Sequence, residues 1–191
     1  MNPFHSISVT LGLVIGLGVA RILSAFVSVF RSRTQASIDW IPLVWAACIF
    51  LWQIQFWWAI IELPSHLSTW TLTEFFLLLS MTLLLYVSAA LVLPATDIIH
   101  GRTLADTFQR DGKWALLFLS AYFGQAIIVN WYLFDAPPFE YPAALNILLV
   151  INPLVFLYAS SRRIAIWLTL AYLGVALWAA WEISPHSYTA R

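Results

Sequence analysis

The stretch ISVTLGLVIGLGVARILSAFVSVF (Ile7–Phe30) decides the fold of this chain. Its twenty-four residues, wound as an α-helix, rise about 36 Å, which exceeds the roughly 30 Å of a bilayer's hydrocarbon core. Arg21 stands near the middle of the stretch. A charge at that depth costs about 2.5–3.5 kcal/mol on insertion scales, so it normally has a partner or a function. The stretch therefore predicts a spanning helix with one polar position that needs an explanation.

The composition of the whole chain also indicates a protein surrounded by lipid. Of its 191 residues, 62% are hydrophobic and 9% are charged, whereas soluble domains carry about 25% charged residues. Lipid must therefore surround most of the surface. The formal net charge of zero gives no basic surface for a nucleic-acid partner. The single cysteine, Cys48, excludes an internal disulfide and a cysteine-based zinc site.

Six apolar runs divide the chain, at about 7–30, 41–62, 74–96, 114–134, 143–160 and 164–183. Each approaches or exceeds the roughly 17–25 residues that a spanning helix needs, and the fifth is the shortest. Long continuous runs in lipid are helices, because a helix satisfies its own backbone hydrogen bonds. The sequence predicts an all-α bundle of six transmembrane helices that forms a single domain over residues 1–191. We expect the first run to be a retained span, since no basic segment precedes it.

Basic residues in alternate loops predict the orientation of this bundle. Lys and Arg concentrate in cytoplasmic loops, which places both termini on the non-cytoplasmic side. The chain has the general look of a small bacterial membrane protein without a named motif, so we expect the cytoplasmic (inner) membrane of a bacterium. Within the linker 94–113, Thr103 and Asp106 have the spacing of a capping box, which predicts a short interfacial helix. The basic residues in alternate loops are Arg31, Arg33, Arg102, Arg110, Lys113, Arg162 and Arg163.

A layer of polar residues is predicted at the middle of the membrane. Side chains of this kind turn inward, because lipid offers their hydrogen-bonding groups no partner. Pro153 follows Asn152 and interrupts the helical hydrogen bonds beside the layer, an arrangement found at many substrate and ion sites. Counted from the ends of the runs, the layer comprises Arg21, Gln53, Gln55, Tyr86, Gln125 and Asn152.

No carboxylate lies at this depth, so Arg21 has no counter-ion within the spans. An arginine in that position favours an anion, and anion binding or conduction is the sharper hypothesis. The alternative is structural: Arg21 donates hydrogen bonds to neighbouring oxygens and holds helices together. The sequence leaves both open.

Small residues repeat every fourth position along the first run. Such a pattern lets two helices approach closely, either within one chain or between two copies. The repeat comprises Gly12, Gly16, Ala20 and Ser24. Because six short spans form a narrow bundle, we expect a homo-oligomer.

Acidic and histidine residues gather at the predicted outer ends of the even-numbered spans. Histidine titrates near physiological pH, so these groups are candidates for an outer vestibule or for pH sensing. A divalent metal ion is an alternative ligand for them, although we predict neither a metal site nor a cofactor. The candidates are Glu62, His66, Asp135, Glu182 and His186.

The sequence contains no P-loop, no Gly-x-Ser-x-Gly and no His-Glu-x-x-His motif, and we do not predict an enzyme. The expected function is a small channel or carrier with a polar mid-membrane site, possessing an anion preference through Arg21 and modulated by the outer Glu and His residues. Its partners would be the lipid bilayer and a small ion or solute. The alternative is a non-transporting scaffold, sensor or partner subunit whose polar layer only specifies helix packing.

Overall fold

The computed structural model of the chain describes residues 3–34, 37–62, 71–94, 103–134, 137, 139–140 and 144–183. Within these ranges the secondary structure is helical and contains no strand. The α-helices are α1 (Pro3–Arg31), α2 (Trp40–Glu62), α3 (Leu72–Val92), α4 (Leu104–Arg110), α5 (Ala115–Phe134), α6 (Ala144–Leu157) and α7 (Arg162–Ile183). Short 3₁₀ turns at Ser32–Thr34 and Gly112–Trp114 follow α1 and precede α5.

Five of these helices, α1, α2, α3, α5 and α7, are long and apolar enough to cross a membrane. The sixth expected span is the shorter apolar helix α6, which has 14 residues against the roughly 20 that a spanning helix needs. It ends before the predicted position 160 because the amides of Tyr158 and Ala159 bond only three residues back, to Val155 and Phe156. Bonds of this 3₁₀ type close a helix. Over its described residues the chain is therefore all-helical, with five candidate membrane spans and a shorter apolar helix.

Five helices pack side by side in a closed ring. Helix α2 contacts α3, α3 contacts α5, α5 contacts α6, α6 contacts α7, and α7 returns to α2. Helix α1 lies outside this ring against α2 and α3, and it is the least buried of the five candidate spans. The ring therefore encloses its own interior, to which α1 is peripheral.

The start of α2 and the start of α7 meet at one end of the ring. Asp39 lies just before α2, where its Oδ1 accepts the amide of Ile41 at 3.0 Å and its Oδ2 accepts a hydrogen bond from Nη1 of Arg162 at 2.6 Å. Basic residues cluster here, and we call it the basic end. The positive-inside rule predicts that it is cytoplasmic. Its described basic residues are Arg31, Arg33, Arg110, Lys113, Arg162 and Arg163.

Helix α4 lies across the basic end and has the capping box that its sequence predicts. The Thr103 hydroxyl accepts the amide of Asp106 at 3.1 Å, and the Asp106 carboxylate accepts the amide of Thr103 at 3.3 Å. Leu104 and Phe108 are buried against the bundle, and the amide of Leu104 donates to the carbonyl of Ser37. The short helix is therefore fixed by its cap, two apolar side chains and a backbone bond.

Candidate functional site

Arg21 binds the carboxyl end of a neighbouring helix. Its Nη2 donates to the carbonyl of Ala90 at 3.1 Å and to the carbonyl of Leu93 at 3.3 Å. Helix α3 ends at Val92, so these carbonyls lack a partner within their own helix and carry the negative end of its dipole. The guanidinium therefore caps α3, and its oxygen partners come from the backbone instead of from amide or phenol side chains.

Three other residues of the predicted polar layer also bond between helices. Their amide nitrogens donate to backbone carbonyls, which ties α2 to α7, α5 to α3 and α6 to α7. The three bonds run from Gln55 to Ala180 at 3.2 Å, from Gln125 to Leu77 at 2.9 Å and from Asn152 to Leu168 at 3.2 Å. Each contact is of the kind that holds helices together in lipid.

Arg21 and Gln125 contact α3 at positions that lie far apart along the helix. Arg21 bonds to Ala90, whereas Gln125 bonds to Leu77 and to Ser80. The ten helical residues between positions 80 and 90 extend about 15 Å along α3. Arg21 and Gln125 thus contact α3 at two separate positions. The predicted substrate or ion path through the six polar residues stays a prediction.

Gln53 is enclosed between α2 and α1. Its side chain is fully buried, and neither Nε2 nor Oε1 has a hydrogen-bond partner among the residues that the structure describes. A Cβ added at Gly18 would overlap Nε2 of Gln53, so α1 approaches this amide closely only because position 18 has no side chain. Tyr86, the remaining residue of the predicted layer, is half-buried on α3.

The predicted small-residue repeat of α1 does not form this contact. Gly12 is half-buried, and Gly16, Ala20 and Ser24 are exposed. A Cβ at Gly12 or at Gly16 would meet no atom within 4 Å. The repeat therefore faces away from the described bundle, and its proposed role in contact between two copies stays a prediction.

Most of the predicted outer vestibule lies outside the described residues. This applies to His66, Asp135, His186 and the side chain of Glu62, while Glu182 is exposed on α7. Among the ranges that the structure describes, no group of three or more His, Cys, Asp or Glu residues is placed to hold a metal ion. The hypotheses of pH sensing and of an acidic vestibule stay predictions.

The ring contains a partly open cavity that the sequence did not reveal. Its volume is about 140 Å³, and it lies between α2, α3, α5 and α6, toward the end opposite the basic end. We call it the axial cavity. Its walls are mainly apolar and aromatic, and none of the described residues that line it carries a charge. The described lining residues include Trp52, Phe56, Met81, Tyr122, Phe123 and Ala126.

Three neutral polar side chains in the axial cavity have uncommitted hydrogen-bonding groups. Asn146 is only 6% exposed, as is Tyr122; with Asn130 they line the cavity. None of the three has a side-chain hydrogen bond to another described residue. Buried polar groups usually have partners, because an unsatisfied one costs free energy. These three side chains can therefore form hydrogen bonds with a molecule that enters the cavity.

A column of buried aromatic rings continues from the axial cavity toward the basic end. Phe123 packs on Trp52 with ring centroids 4.8 Å apart, and Nε1 of Trp52 donates to the Tyr172 hydroxyl at 3.2 Å. The centroid of Tyr172 lies 4.5 Å from that of Trp45, and Trp45 packs on Phe156 at 5.2 Å. We call these five residues the aromatic column.

The aromatic column ends at a second cavity. Phe108 of α4 packs on Phe156 with centroids 6.0 Å apart, and Phe108 also lines a cavity of about 280 Å³ at the basic end. Asp39, Ser161 and Arg162 line that cavity as well. Two cavities therefore lie at opposite ends of the ring, with the aromatic column between them.

A heptad pattern in α2 could have predicted part of this arrangement. Trp45 and Trp52 are seven residues apart, with Phe56 four residues further, and all three are buried. That spacing repeats on one face of a helix. Tryptophan is also enriched at membrane interfaces, so the presence of Trp45 and Trp52 does not by itself predict that their indoles point inward.

Comparison with known protein families, characterised proteins and solved structures finds no match to this chain.

Proposed function

We propose that this protein is a small membrane carrier or channel for uncharged solutes, with a route along the axis of the five-helix ring. The observation that supports it is the pair of cavities at opposite ends of the ring, joined by the aromatic column. Transporters commonly bind their substrate between two access routes of which one is closed. In this arrangement the axial cavity is the binding site and the column is the closed gate.

The gate is formed by rings that pack against one another and are held by hydrogen bonds. Nε1 of Trp45 donates to the Thr169 hydroxyl at 3.1 Å, and Trp52 donates to Tyr172. Both bonds join α2 to α7, so movement between these two helices would break them and separate the rings. Passage of a solute then depends on a shift of α2 against α7.

The expected solute is uncharged because none of the described residues that line the axial cavity carries a charge. An ion that entered would lose its hydration and gain only neutral amide and phenol groups, which is unfavourable in a space of low polarity. Arg21 lies outside this route, since it bonds from α1 to the end of α3. The anion preference expected from Arg21 stays a prediction and is tested separately below.

Osmotic measurements on proteoliposomes test this function. We expect the protein to accelerate the entry of glycerol or urea, followed by stopped-flow light scattering, and to leave vesicles impermeable to KCl and KNO₃. Ala126→Phe fills the axial cavity, which Ala126 lines, and should abolish the acceleration. Ala121→Phe is the matched control, because Ala121 lies on the same helix with its side chain exposed.

An equal loss of flux in both variants, with an unchanged helical circular-dichroism spectrum, would contradict the axial route. So would wild-type vesicles that admit none of the neutral solutes.

A non-transporting scaffold, sensor or partner subunit is the second candidate. The interhelical bonds of Arg21, Gln55, Gln125 and Asn152 favour it, since each has a packing role that needs no solute. A folded protein that moves neither neutral solutes nor ions would support this candidate. Assembly into a homo-oligomer stays a prediction under both functions.

A further inference from the structure

We propose that the axial cavity binds a neutral single-ring aromatic compound that carries one hydrogen-bonding oxygen, a ligand of the phenol class. This inference deepens the proposed function, on which it rests for its physiological meaning, by naming the class of solute. Binding itself is a separate property that needs no transport and can be measured alone.

The size of the cavity limits the ligand to about one ring. Its volume is about 140 Å³, and protein cavities of roughly 150 Å³ with apolar walls accept benzene. A fused ring system exceeds this space, whereas a single water molecule or a small diatomic leaves most of the wall without contact. Packing contacts that are lost in this way cost dispersion energy.

The walls of the cavity favour an aromatic ring over an aliphatic one. Trp52 and Phe123 meet at 80°, and Phe56 and Tyr122 meet at 90° with centroids 5.8 Å apart. Rings arranged edge to face expose both positive edges and negative faces, and another ring gains about 0.5–1.5 kcal/mol from such a pairing beyond its buried area. An aliphatic ring of the same volume lacks this gain.

The polar groups of the cavity require a ligand oxygen that donates and accepts. Asn146 and Tyr122 are each only 6% exposed as whole residues and line the cavity. No hydrogen bond joins the Asn146 amide or the Tyr122 hydroxyl to another described residue. A hydroxyl supplies one donor and two acceptor lone pairs. It therefore satisfies amide and phenol groups together, which a purely hydrocarbon ring leaves unsatisfied.

Binding of 4-fluorophenol to the full chain in detergent, followed by fluorine NMR, tests the inference. We expect saturable binding of 4-fluorophenol at neutral pH, weaker binding of 4-fluorotoluene and none of 4-fluorobenzoate, which carries a charge. Asn146→Leu should weaken 4-fluorophenol binding by about three- to tenfold, the effect of one lost hydrogen bond. The same variant should bind 4-fluorotoluene as well as wild type or better, which shows that its cavity is intact.

Tyr122→Phe should also weaken 4-fluorophenol binding, whereas Tyr158→Phe should not, since Tyr158 is exposed at the end of α6. Ala126→Phe should abolish the binding of every ring compound. Equal affinity of 4-fluorophenol and 4-fluorotoluene, or unchanged binding in Asn146→Leu and Tyr122→Phe, would overturn the inference.

The outcomes separate this inference from the proposed function. Ring binding in vesicles that show no solute flux would retain the ligand class and reject transport. Flux of glycerol or urea that Ala126→Phe blocks, without any binding of 4-fluorophenol, would retain the axial route and reject the ligand class.

Discussion

The guanidinium of Arg21 and the last carbonyls of α3 compensate each other. In lipid the carbonyls of Ala90 and Leu93 would have no donor, and the arginine would have no acceptor. Unsatisfied backbone groups cost several kcal/mol in an apolar solvent. The end of α3 thus gives the charge within α1 its hydrogen-bond acceptors, and this favours a structural role over an anion site.

Replacing Arg21 should therefore lower stability. We expect Arg21→Ala to reduce the free energy of unfolding by about 1–3 kcal/mol, the range for hydrogen bonds from charged donors, as measured by denaturant titration in detergent. Arg33→Ala is the control and should have little effect, because Arg33 is exposed and donates within its own turn to Phe30. Unchanged stability of Arg21→Ala with altered chloride or nitrate flux would instead support the anion hypothesis.

Gly18 and Gly16 offer a matched test of how α1 packs. Gly18→Ala should cost about 1–3 kcal/mol, the usual range for overpacking, because its Cβ overlaps the end of the Gln53 side chain and that side chain is fully buried. Gly16→Ala should be neutral or stabilising by up to about 1 kcal/mol, since nothing lies within 4 Å of its Cβ. Thermal unfolding in detergent measures both. Gln53→Ala should offset part of the Gly18→Ala loss, and strictly additive losses would argue against the contact.

The sequence predicted that α1 exists better than it predicted which of its residues contact the rest of the bundle. Arg21 is conspicuous because it is a charge in an apolar run. Its partners are backbone carbonyls, which every residue has, so the sequence does not show which of them Arg21 contacts. Gly18 interrupts the regular spacing of Gly12, Gly16 and Ala20. Its importance depends on which residue of α2 faces it, and that requires the packed structure.

At the scale of elements, α4 is the clearest case of local sequence determining structure. Thr103 and Asp106 form both bonds of the predicted capping box, and Phe108 reaches the aromatic column. A second capping box, formed by Thr71 and Glu74 at the start of α3, has the same spacing in the sequence.

The cap of α4 should depend on pH. The hydroxyl and the amide of Thr103 donate to the carboxylate of Asp106, at 2.7 and 3.3 Å, and these bonds lower the pKa of Asp106. A lowered pKa means that the stabilisation is complete above the unfolded-state value of about 3.9 and disappears as the pH falls through the folded-state value. Amide hydrogen exchange of α4, corrected for its intrinsic pH dependence, should therefore show loss of protection only in acid.

Asp106→Asn is the control for that titration. An amide does not ionise in this range, so the variant should show protection that varies much less with pH. An acid transition of equal size in Asp106→Asn would assign the pH dependence to another group.

At the scale of the whole molecule, hydropathy predicted the helices but not their arrangement. Helix α2 is apolar on nearly all sides, so its sequence shows little contrast between a face toward lipid and a face toward the ring. Hydropathy therefore cannot indicate that Trp45 and Trp52 point inward. The axial cavity depends on contacts between helices that are distant in sequence. Hydropathy describes each helix separately and therefore does not predict the cavity.

The ring of helices can close only late in the synthesis of the chain, because α7 is its last helix. The hydrogen bond that joins Trp45 of α2 to Thr169 of α7 spans 124 residues of the chain. A ribosome adds about 5–20 residues per second, so Thr169 is synthesised roughly 6–25 s after Trp45. Until α7 emerges, the indoles and amides of α2 have no acceptor from that helix. A chain released before α7 is complete therefore has α1 to α6 but not the bonds that close the ring, so Trp45 and Trp52 lack their hydrogen-bond acceptors on α7.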